Sequence, residues 1–441
     1  MRTYYLRSFG CQMNEHDAER IRYALESGGL APVDEPDEAD VLVYNTCTVR
    51  KSADDRLAGH LSGAARLKRE RPDRIVLVTG CLPQAEQRDF FGRFPFVDGA
   101  LGPQNLHRLP ELLQAAVQPA EPDAGPPGFF DDGPALSGEL PSRRERPYQA
   151  WVQIMSGCTN YCSYCIVPAV RGPERSRPAE DVRAEVRDLA VSGVREVTLL
   201  GQNVNAYGLD LRRAGDAAAA DFPALLRALD DTPGLARVRF MTSHPQDLSD
   251  DLVRALAELP TACEHVHLPA QSGSDAVLGA MNRGYTADQY LERVRALRRE
   301  VPGVSITTDL IAGFPGETDE DFEDTIALVR AAEFDAAFTF VFSPRRGTAA
   351  AELDGQLADD VKRDRVERLV ALTQEQALAS RRRWVGRATE VLIEGASRDG
   401  KLLRGRTRQN VTVNVEGRAD PGAIVTVHVT GATSATLRGR I

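Results

Sequence analysis

Short apolar runs alternate with helix-like segments along most of the 441-residue chain, and this alternation restricts the fold more than any other feature. In the first hundred residues TYYLRSFG precedes EHDAERIRYALESGG, DVLVYNT precedes RKSADDRLAGHLSGAARLKRE, and RIVLVTG precedes a polar stretch. Such order predicts a doubly wound parallel sheet with covering helices. Residues 119–147 then hold seven prolines among Gly, Asp and Glu. That composition cannot bury enough apolar surface to fold by itself and reads as a linker. From Tyr148 six further strand-like runs follow at 149–156, 196–203, 238–244, 265–272, 305–314 and 337–343, each separated from the next by a helix-like segment. Right-handed crossovers would close them into an open or partial (βα) barrel. The Ala-rich, charged segment 209–221 reads as a surface insertion. After a long charged helix from Leu357 to Trp384, five short β-branched runs predict a small closed β-barrel of the oligonucleotide-binding type. The expected domains are residues 1–118, a linker 119–147, 148–378 and 379–441, all in the α/β class apart from the last.

Charge is unevenly spread over these parts. Residues 380–441 carry twelve Lys and Arg against five acids, or +7, which leaves −17 on the remainder of a chain whose net charge is −10. A basic barrel on an acidic body suits a phosphate backbone held at one end, or is simply a solvated charged surface. Arg382, Arg383, Arg404, Arg406 and Arg408 are the candidate RNA contacts. The N-terminus lacks an apolar signal core, and no uncharged apolar run reaches the roughly 18 residues of a membrane span. A soluble, cytoplasmic protein is expected, and the basic end and long linker are compatible with a monomer.

Seven cysteines, an odd number, are too few and too dispersed for a disulfide scaffold and suit a reducing compartment. Cys158, Cys162 and Cys165 form a CxxxCxxC loop after the first strand of the expected barrel. Three thiolates so spaced can wrap one face of a 4Fe-4S cube and leave one iron open. Zinc competes poorly, because a closed tetrahedral site needs a fourth Cys or His and none stands nearby. Cys11, Cys47 and Cys81 each lie just past the end of a predicted strand. In a doubly wound sheet those ends share an edge where ligands collect, so the three thiols could meet there; three ordinary buried cysteines are the other reading. Cys263 reads as a core residue.

With Tyr164 before its last cysteine, the CxxxCxxC loop resembles the radical S-adenosylmethionine (SAM) superfamily. Together with the upstream cysteines and the terminal barrel, it resembles the methylthiotransferases, which join an N-terminal domain, a radical SAM core and a TRAM domain. GCQMN (10–14), NTCTVR, GCLPQ, RGPERSR (171–177), LLGQNVNAYG (199–208), TSHP (242–245), HLPAQSGS and DLIAGFPGET resemble the bacterial MiaB branch, which makes 2-methylthio-N6-dimethylallyladenosine in tRNA. Ala169 stands where the family often has an aromatic, and Arg346 where proline is common.

This resemblance implies two 4Fe-4S clusters. Cys158, Cys162 and Cys165 would hold the one whose open iron binds SAM, so that reductive cleavage yields a 5′-deoxyadenosyl radical. Cys11, Cys47 and Cys81 would hold the other, which presents the sulfur to be methylated and inserted. Two SAM molecules per turnover follow, one as methyl donor and one as radical source. Gly201, Gln202, Asn203, Asp309 and Gly313 are candidates for holding SAM at strand ends, or equally for forming turns. The partners implied are a tRNA anticodon stem-loop, whose adenosine must splay out to react, and an electron donor of the flavodoxin or ferredoxin type. Alternative substrates are a threonylcarbamoyl-bearing adenosine and a ribosomal-protein aspartate. An iron–sulfur protein that binds RNA and senses redox state is a reading from another class, disfavoured by the full barrel.

Overall fold

Six parallel strands make the N-terminal sheet: β1 (Thr3–Ser8), β2 (Ala31–Pro32), β3 (Val41–Thr46), β4 (Ile75–Gly80), β5 (Gly99–Leu101) and β6 (Gly128–Phe129), in the order β2-β1-β3-β4-β5-β6. In this computed structural model the chain is described except for residues 49–50, 119–124 and 132–138 and the side chains of 51–56. Every residue of β3 and β4 is buried, which is why VLVYNT and IVLVTG read as continuous apolar runs. Alternate side chains go to opposite faces. Leu42, Tyr44, Val76 and Val78 pack with Leu57, Leu61 and Leu67 of helix α2 (Lys51–Glu70), whereas Val41, Val43, Ile75 and Leu77 pack with Ile21 and Leu25 of helix α1 (Gln12–Ser27). Burying each such side chain stabilises the domain by about 2 kcal/mol. The sheet is thus doubly wound, as its sequence predicts.

The proline-rich stretch is partly sheet. Gly128–Phe129 pairs with β5, and Phe129 and Phe130 pack against the two cores. Two adjacent aromatics supply apolar surface that the average composition conceals. Of the rest of the expected linker, residues 119–124 and 132–138 lie outside the described residues.

The chain divides into two units. One comprises Met1–Glu145, Trp151–Thr159 and Cys165–Arg177; the other comprises Arg146–Ala150, Asn160–Tyr164 and Pro178–Ile441. In the second unit strands Glu196–Leu200 and Arg237–Met241 pair in parallel, and His265–His267, Ser305–Ala312 and Ala336–Val341 form another parallel set. A single bridge, Val238 to Ala262, links the two sets, so the barrel is partial. Within the predicted insertion, Leu209–Arg213 forms one short helix, residues 213–218 are exposed, and Asp221 caps the next helix by accepting from the Ala224 N–H.

Strands Ala388–Ala396, Leu403–Thr407, Thr412–Glu416, Ile424–Ala432 and Thr436–Arg440 close into a five-stranded barrel. Val413, Val415, Val427, Val429 and Leu437 fill it, alternating with outward polar residues. Two buried arginines anchor it to the partial barrel: Arg237 donates to Glu390 Oε1 (2.8 Å) and the Arg406 carbonyl (2.9 Å), and Arg239 to the Thr407 and Arg408 carbonyls (both 2.7 Å).

Candidate functional site

Cys47 and Cys81 follow directly on strands of the N-terminal sheet, and Cys11 stands three residues past another. Cys11 caps α1 just past β1, Cys47 succeeds β3, and Cys81 begins helix α3 (Cys81–Glu86) after β4. Because β1, β3 and β4 are parallel neighbours, the three residues share one sheet edge. A buried polar network ties their loops together. Asn14 Oδ1 accepts from the Cys11 N–H at 3.4 Å, its Nδ2 donates to the Thr46 carbonyl at 3.0 Å, and Asn45 Nδ2 donates to the Asn14 carbonyl at 2.8 Å. Thr46 Oγ1 in turn donates to the Thr79 carbonyl at 2.7 Å and accepts from the Leu82 N–H at 3.3 Å. Gly10 has φ +128°, and a Cβ there would stand 2.5 Å from Cys47 Cβ, so the loop needs glycine to bring Cys11 and Cys47 close.

A cation completes this edge. The guanidinium of Arg171 hydrogen-bonds Cys81, lies within electrostatic range of Cys11 and donates to Asp17 Oδ2 at 3.3 Å. Burial pushes the Cys81 thiol up, while Arg171 pulls it back. Among the described residues no three His, Cys, Asp or Glu side chains converge on a single ion. Three cysteines at the ends of neighbouring parallel strands, with a cation beside them, are a donor set that suits an iron–sulfur cluster, since in a cubane each thiolate takes its own iron.

The CxxxCxxC loop is fixed differently. Gly157 precedes it with φ +78°, where a Cβ would meet the Pro173 carbonyl oxygen at 1.9 Å. The Cys158 N–H donates to the Gly172 carbonyl at 3.2 Å, and the Thr159 N–H to Glu174 Oε1 at 3.3 Å. Further along, the Ser163 N–H donates to the Met281 carbonyl at 3.0 Å, and Asn282 Nδ2 donates to the Asn160 and Tyr161 carbonyls at 3.2 and 3.1 Å. Arg283 Nη1 donates to Cys162 Sγ at 3.2 Å, and Arg283 Nε to Tyr285 Oη at 3.0 Å. Tyr164 packs into the apolar cluster of Val277, Met281, Ile311 and Phe314. Three thiols within eight residues, one of them facing a buried guanidinium, again fit a cluster.

Polar groups crowd the C-terminal ends of the partial barrel's strands. Gln202 Oε1, Thr242 Oγ1, Ser243 Oγ, His244 Nε2 and Gln271 Oε1 are buried and accept or donate no hydrogen bond within the protein, and Asp309 Oδ1 is buried 3.5 Å from His267 Nε2. Buried groups of this kind are ordinarily satisfied, so a set of them at strand ends marks a ligand site. His244 stacks edge-on against Tyr285, with ring centroids 5.7 Å apart. Burial and the charge of Arg283 push its pKa down to about 3, so the ring is neutral. Its Nδ1 accepts from the Gln246 N–H at 3.3 Å, which leaves the proton on Nε2.

Of the residues expected to hold SAM, Gln202 and Asp309 present such atoms. Asn203 does not: its amide binds Asp247 Oδ2 (2.6 Å) and the His244 N–H (3.1 Å). Gly313 donates its N–H to Glu317 Oε2 at 2.7 Å and is packed by Lys362, which fixes a turn, and Gly201 donates to the Met241 carbonyl at 3.2 Å, which extends the strand ladder by one bond. Thr242, Ser243, His244 and Gln271 were not expected individually, although they lie in the TSHP and HLPAQSGS segments.

The five candidate arginines of the basic end differ in availability. Arg408 grips both Glu264 oxygens at 2.8 and 2.9 Å, and Arg406 binds Glu394 Oε1 and Asn410 Oδ1, both at 2.9 Å. Arg404 is half-exposed 3.5 Å from Glu394, Arg383 is 3.5 Å from Glu333, and Arg382 is exposed. Arg438 and Arg440, which alternate with buried Leu437 and Gly439 on the last strand, also face outward. That alternation in ATLRGRI was the available signal.

Comparison with known proteins gives the same three-part order. Residues 3–102 match the Uncharacterized protein family UPF0004, residues 152–329 the Radical SAM superfamily and residues 382–441 the TRAM domain. A tRNA-2-methylthio-N(6)-dimethylallyladenosine synthase of Caldicellulosiruptor saccharolyticus is 44% identical, covering 94% of this chain and 87% of its own. Proteins of that name from Carboxydothermus hydrogenoformans (45% identical, 97% of each chain) and Acidothermus cellulolyticus (46%, 98% of this chain and 86% of its own) are similarly close. Among solved structures, a radical S-adenosylmethionine methyltransferase, TsrM, from Kitasatospora setae, with cobalamin and a [4Fe-4S] cluster bound, shares the fold with TM-score 0.58 at 15% identity, over 79% of this chain and 77% of its own.

Proposed function

The chain belongs to the family of tRNA-2-methylthio-N(6)-dimethylallyladenosine synthases, and from that membership we infer how its own residues divide the work. It is a radical SAM methylthiotransferase that adds a methylthio group to C2 of N6-dimethylallyladenosine in tRNA, and it uses an iron–sulfur cluster and SAM. Likeness to relatives of that name over nearly the whole length carries this conclusion and disfavours threonylcarbamoyladenosine or a ribosomal-protein aspartate as substrate.

The finer assignments are our own. Two 4Fe-4S clusters are held, one by Cys158, Cys162 and Cys165 and one by Cys11, Cys47 and Cys81. With an open iron held at the first, such a cluster would supply the electron for SAM cleavage once reduced by a flavodoxin- or ferredoxin-type donor. Around the first triplet, Arg283 fixes Cys162, while Gln202, His244, Gln271 and Asp309 offer hydrogen-bonding atoms to SAM or to the adenine. Around the second, Asn14 and Thr46 hold the cysteine-bearing loops in register. Two SAM molecules are consumed per turnover, one for methyl transfer and one for hydrogen abstraction.

The anticodon stem-loop is held by outward cations of the barrel, namely Arg382, Arg404, Arg438 and Arg440; Arg408, committed to Glu264, serves the fold instead. Alanine at Arg438 or Arg440 is expected to lower the salt-dependence slope of tRNA binding by about one unit each, and alanine at Arg408 to leave it unchanged. We take 1–118, 148–378 and 379–441 as the functional parts of a cytoplasmic monomer, and no described helix is long and apolar enough to cross a membrane.

Nucleoside mass analysis of tRNA from cells lacking the protein tests the reading. The methylthio group should disappear from dimethylallyladenosine and return on complementation. Its persistence would overturn the assignment.

A further inference from the structure

We propose that Arg171 is a positioning residue of the Cys11, Cys47 and Cys81 centre, where its buried guanidinium, balanced against Asp17, sets the charge and thereby the reduction potential of the cluster. The proposal rests on the reading above that these cysteines hold a cluster.

Arg171 lies six residues beyond Cys165, in the short helix Val167–Arg171. Its own turn is fixed from two sides: Gln104 Nε2 donates to the Arg171 carbonyl at 2.7 Å, and Ile166 and Val170 pack against Cys81. The side chain, 5% exposed, is thereby delivered to Cys81 Sγ and Asp17. Taking a guanidinium out of water costs several kcal/mol unless anions surround it. Asp17 offers one contact of 3.3 Å from a carboxylate that is itself 1% exposed and stands 3.1 Å from His16 Nδ1. Burial, followed by the charge of Arg20, pushes His16 down to about 3, so His16 is neutral and adds no second cation.

One carboxylate at that distance is a modest counterweight for a fully desolvated guanidinium. A hydrogen bond to the Cys81 thiol and the nearby Cys11 supply the rest of its surroundings, and both sulfurs become anionic when they bind iron. A bound cluster therefore places anionic sulfur against the guanidinium. Hydrogen bonds and positive charge at cluster sulfurs favour the reduced, more negative state and raise the potential. Asp17 opposes that effect by neutralising part of the cation. The two residues should therefore act with opposite sign.

The test uses the full chain, reconstituted anaerobically, with Cys158→Ala, Cys162→Ala and Cys165→Ala, so that any cluster belongs to the other triplet. This parent should hold about four irons. In an EPR-monitored redox titration, Arg171→Gln is expected to lower the midpoint, Arg171→Lys to lower it less, and Asp17→Asn to raise it. A merely structural role would instead reduce iron content in all three without opposite shifts. Unchanged midpoints in iron-loaded Arg171→Gln and Asp17→Asn, or shifts of the same sign, would overturn the proposal. Should Arg171→Gln fail to retain iron, the signs for Arg171→Lys and Asp17→Asn decide it. A parent that binds no iron would sink the cluster reading and the proposal together, an outcome distinct from unchanged midpoints in a loaded parent.

Discussion

The two cysteine triplets reach their geometry by opposite routes. Cys158, Cys162 and Cys165 are neighbours in sequence, so a single loop carries them and its surroundings need only hold that loop still. Cys11, Cys47 and Cys81 come from three loops tens of residues apart, and only the parallel register of β1, β3 and β4, with Asn14 and Thr46 bridging the strand ends, gives them a common edge. A contiguous motif is therefore tolerant of changes in the fold around it, whereas a dispersed one is a property of the fold.

The sharpest contrast is expected from the residues beside each triplet. Arg283→Lys keeps a charge near Cys162 but gives up the fork that also binds Tyr285 and the Pro269 carbonyl. Loss of an outer partner of a metal ligand typically costs 10–100-fold, so we expect 5′-deoxyadenosine formation to fall by roughly tenfold or more while the iron of the Cys11 triplet is retained. An unchanged rate would show that Cys162 needs no such support.

Next in size is Asn14→Ala, which takes the amide donor from the buried Thr46 carbonyl and removes one bond to Asn45 Oδ1. It is expected to lower unfolding stability by about 2 kcal/mol in denaturant titration and to reduce iron by about four per chain, with SAM cleavage preserved. Equal loss of both clusters would erase the distinction drawn between the triplets.

A further effect, silent at neutral pH, concerns acid stability. His16 is depressed to about 3 in the folded chain against an ordinary value near 6.5, so the native state binds fewer protons than the unfolded one between those limits. Its stability is fully present above pH ~6.5 and is lost as pH falls toward 3. His16→Gln should flatten that acid limb of the stability curve for the N-terminal sheet, and an unaltered limb would assign acid sensitivity elsewhere.

Much of this architecture was legible from residue patterns. The uniform apolarity of β3 and β4 marked a sheet covered on both faces, the position of each cysteine after a strand marked a shared edge, and the alternation in NVTVNVE marked a barrel wall. What escaped was long-range pairing. Nothing near Arg408 in sequence indicates that Glu264 will neutralise it, and nothing near Arg171 points to Cys81 or to Asp17, 154 residues upstream. A charge count treats every arginine alike, whereas packing decides which are spent on the fold. β6 escaped for a related reason: two aromatics inside a proline-rich stretch find their partners only once the sheet exists.

The division of labour between the triplets is best tested by two full-chain variants assayed anaerobically with SAM, reductant and dimethylallyladenosine-bearing tRNA. Replacing Cys158, Cys162 and Cys165 by Ala should abolish 5′-deoxyadenosine altogether. Replacing Cys11, Cys47 and Cys81 by Ala should leave SAM cleavage intact while yielding no methylthio product. Cleavage that survives the first variant, or normal methylthio product from the second, would contradict the account.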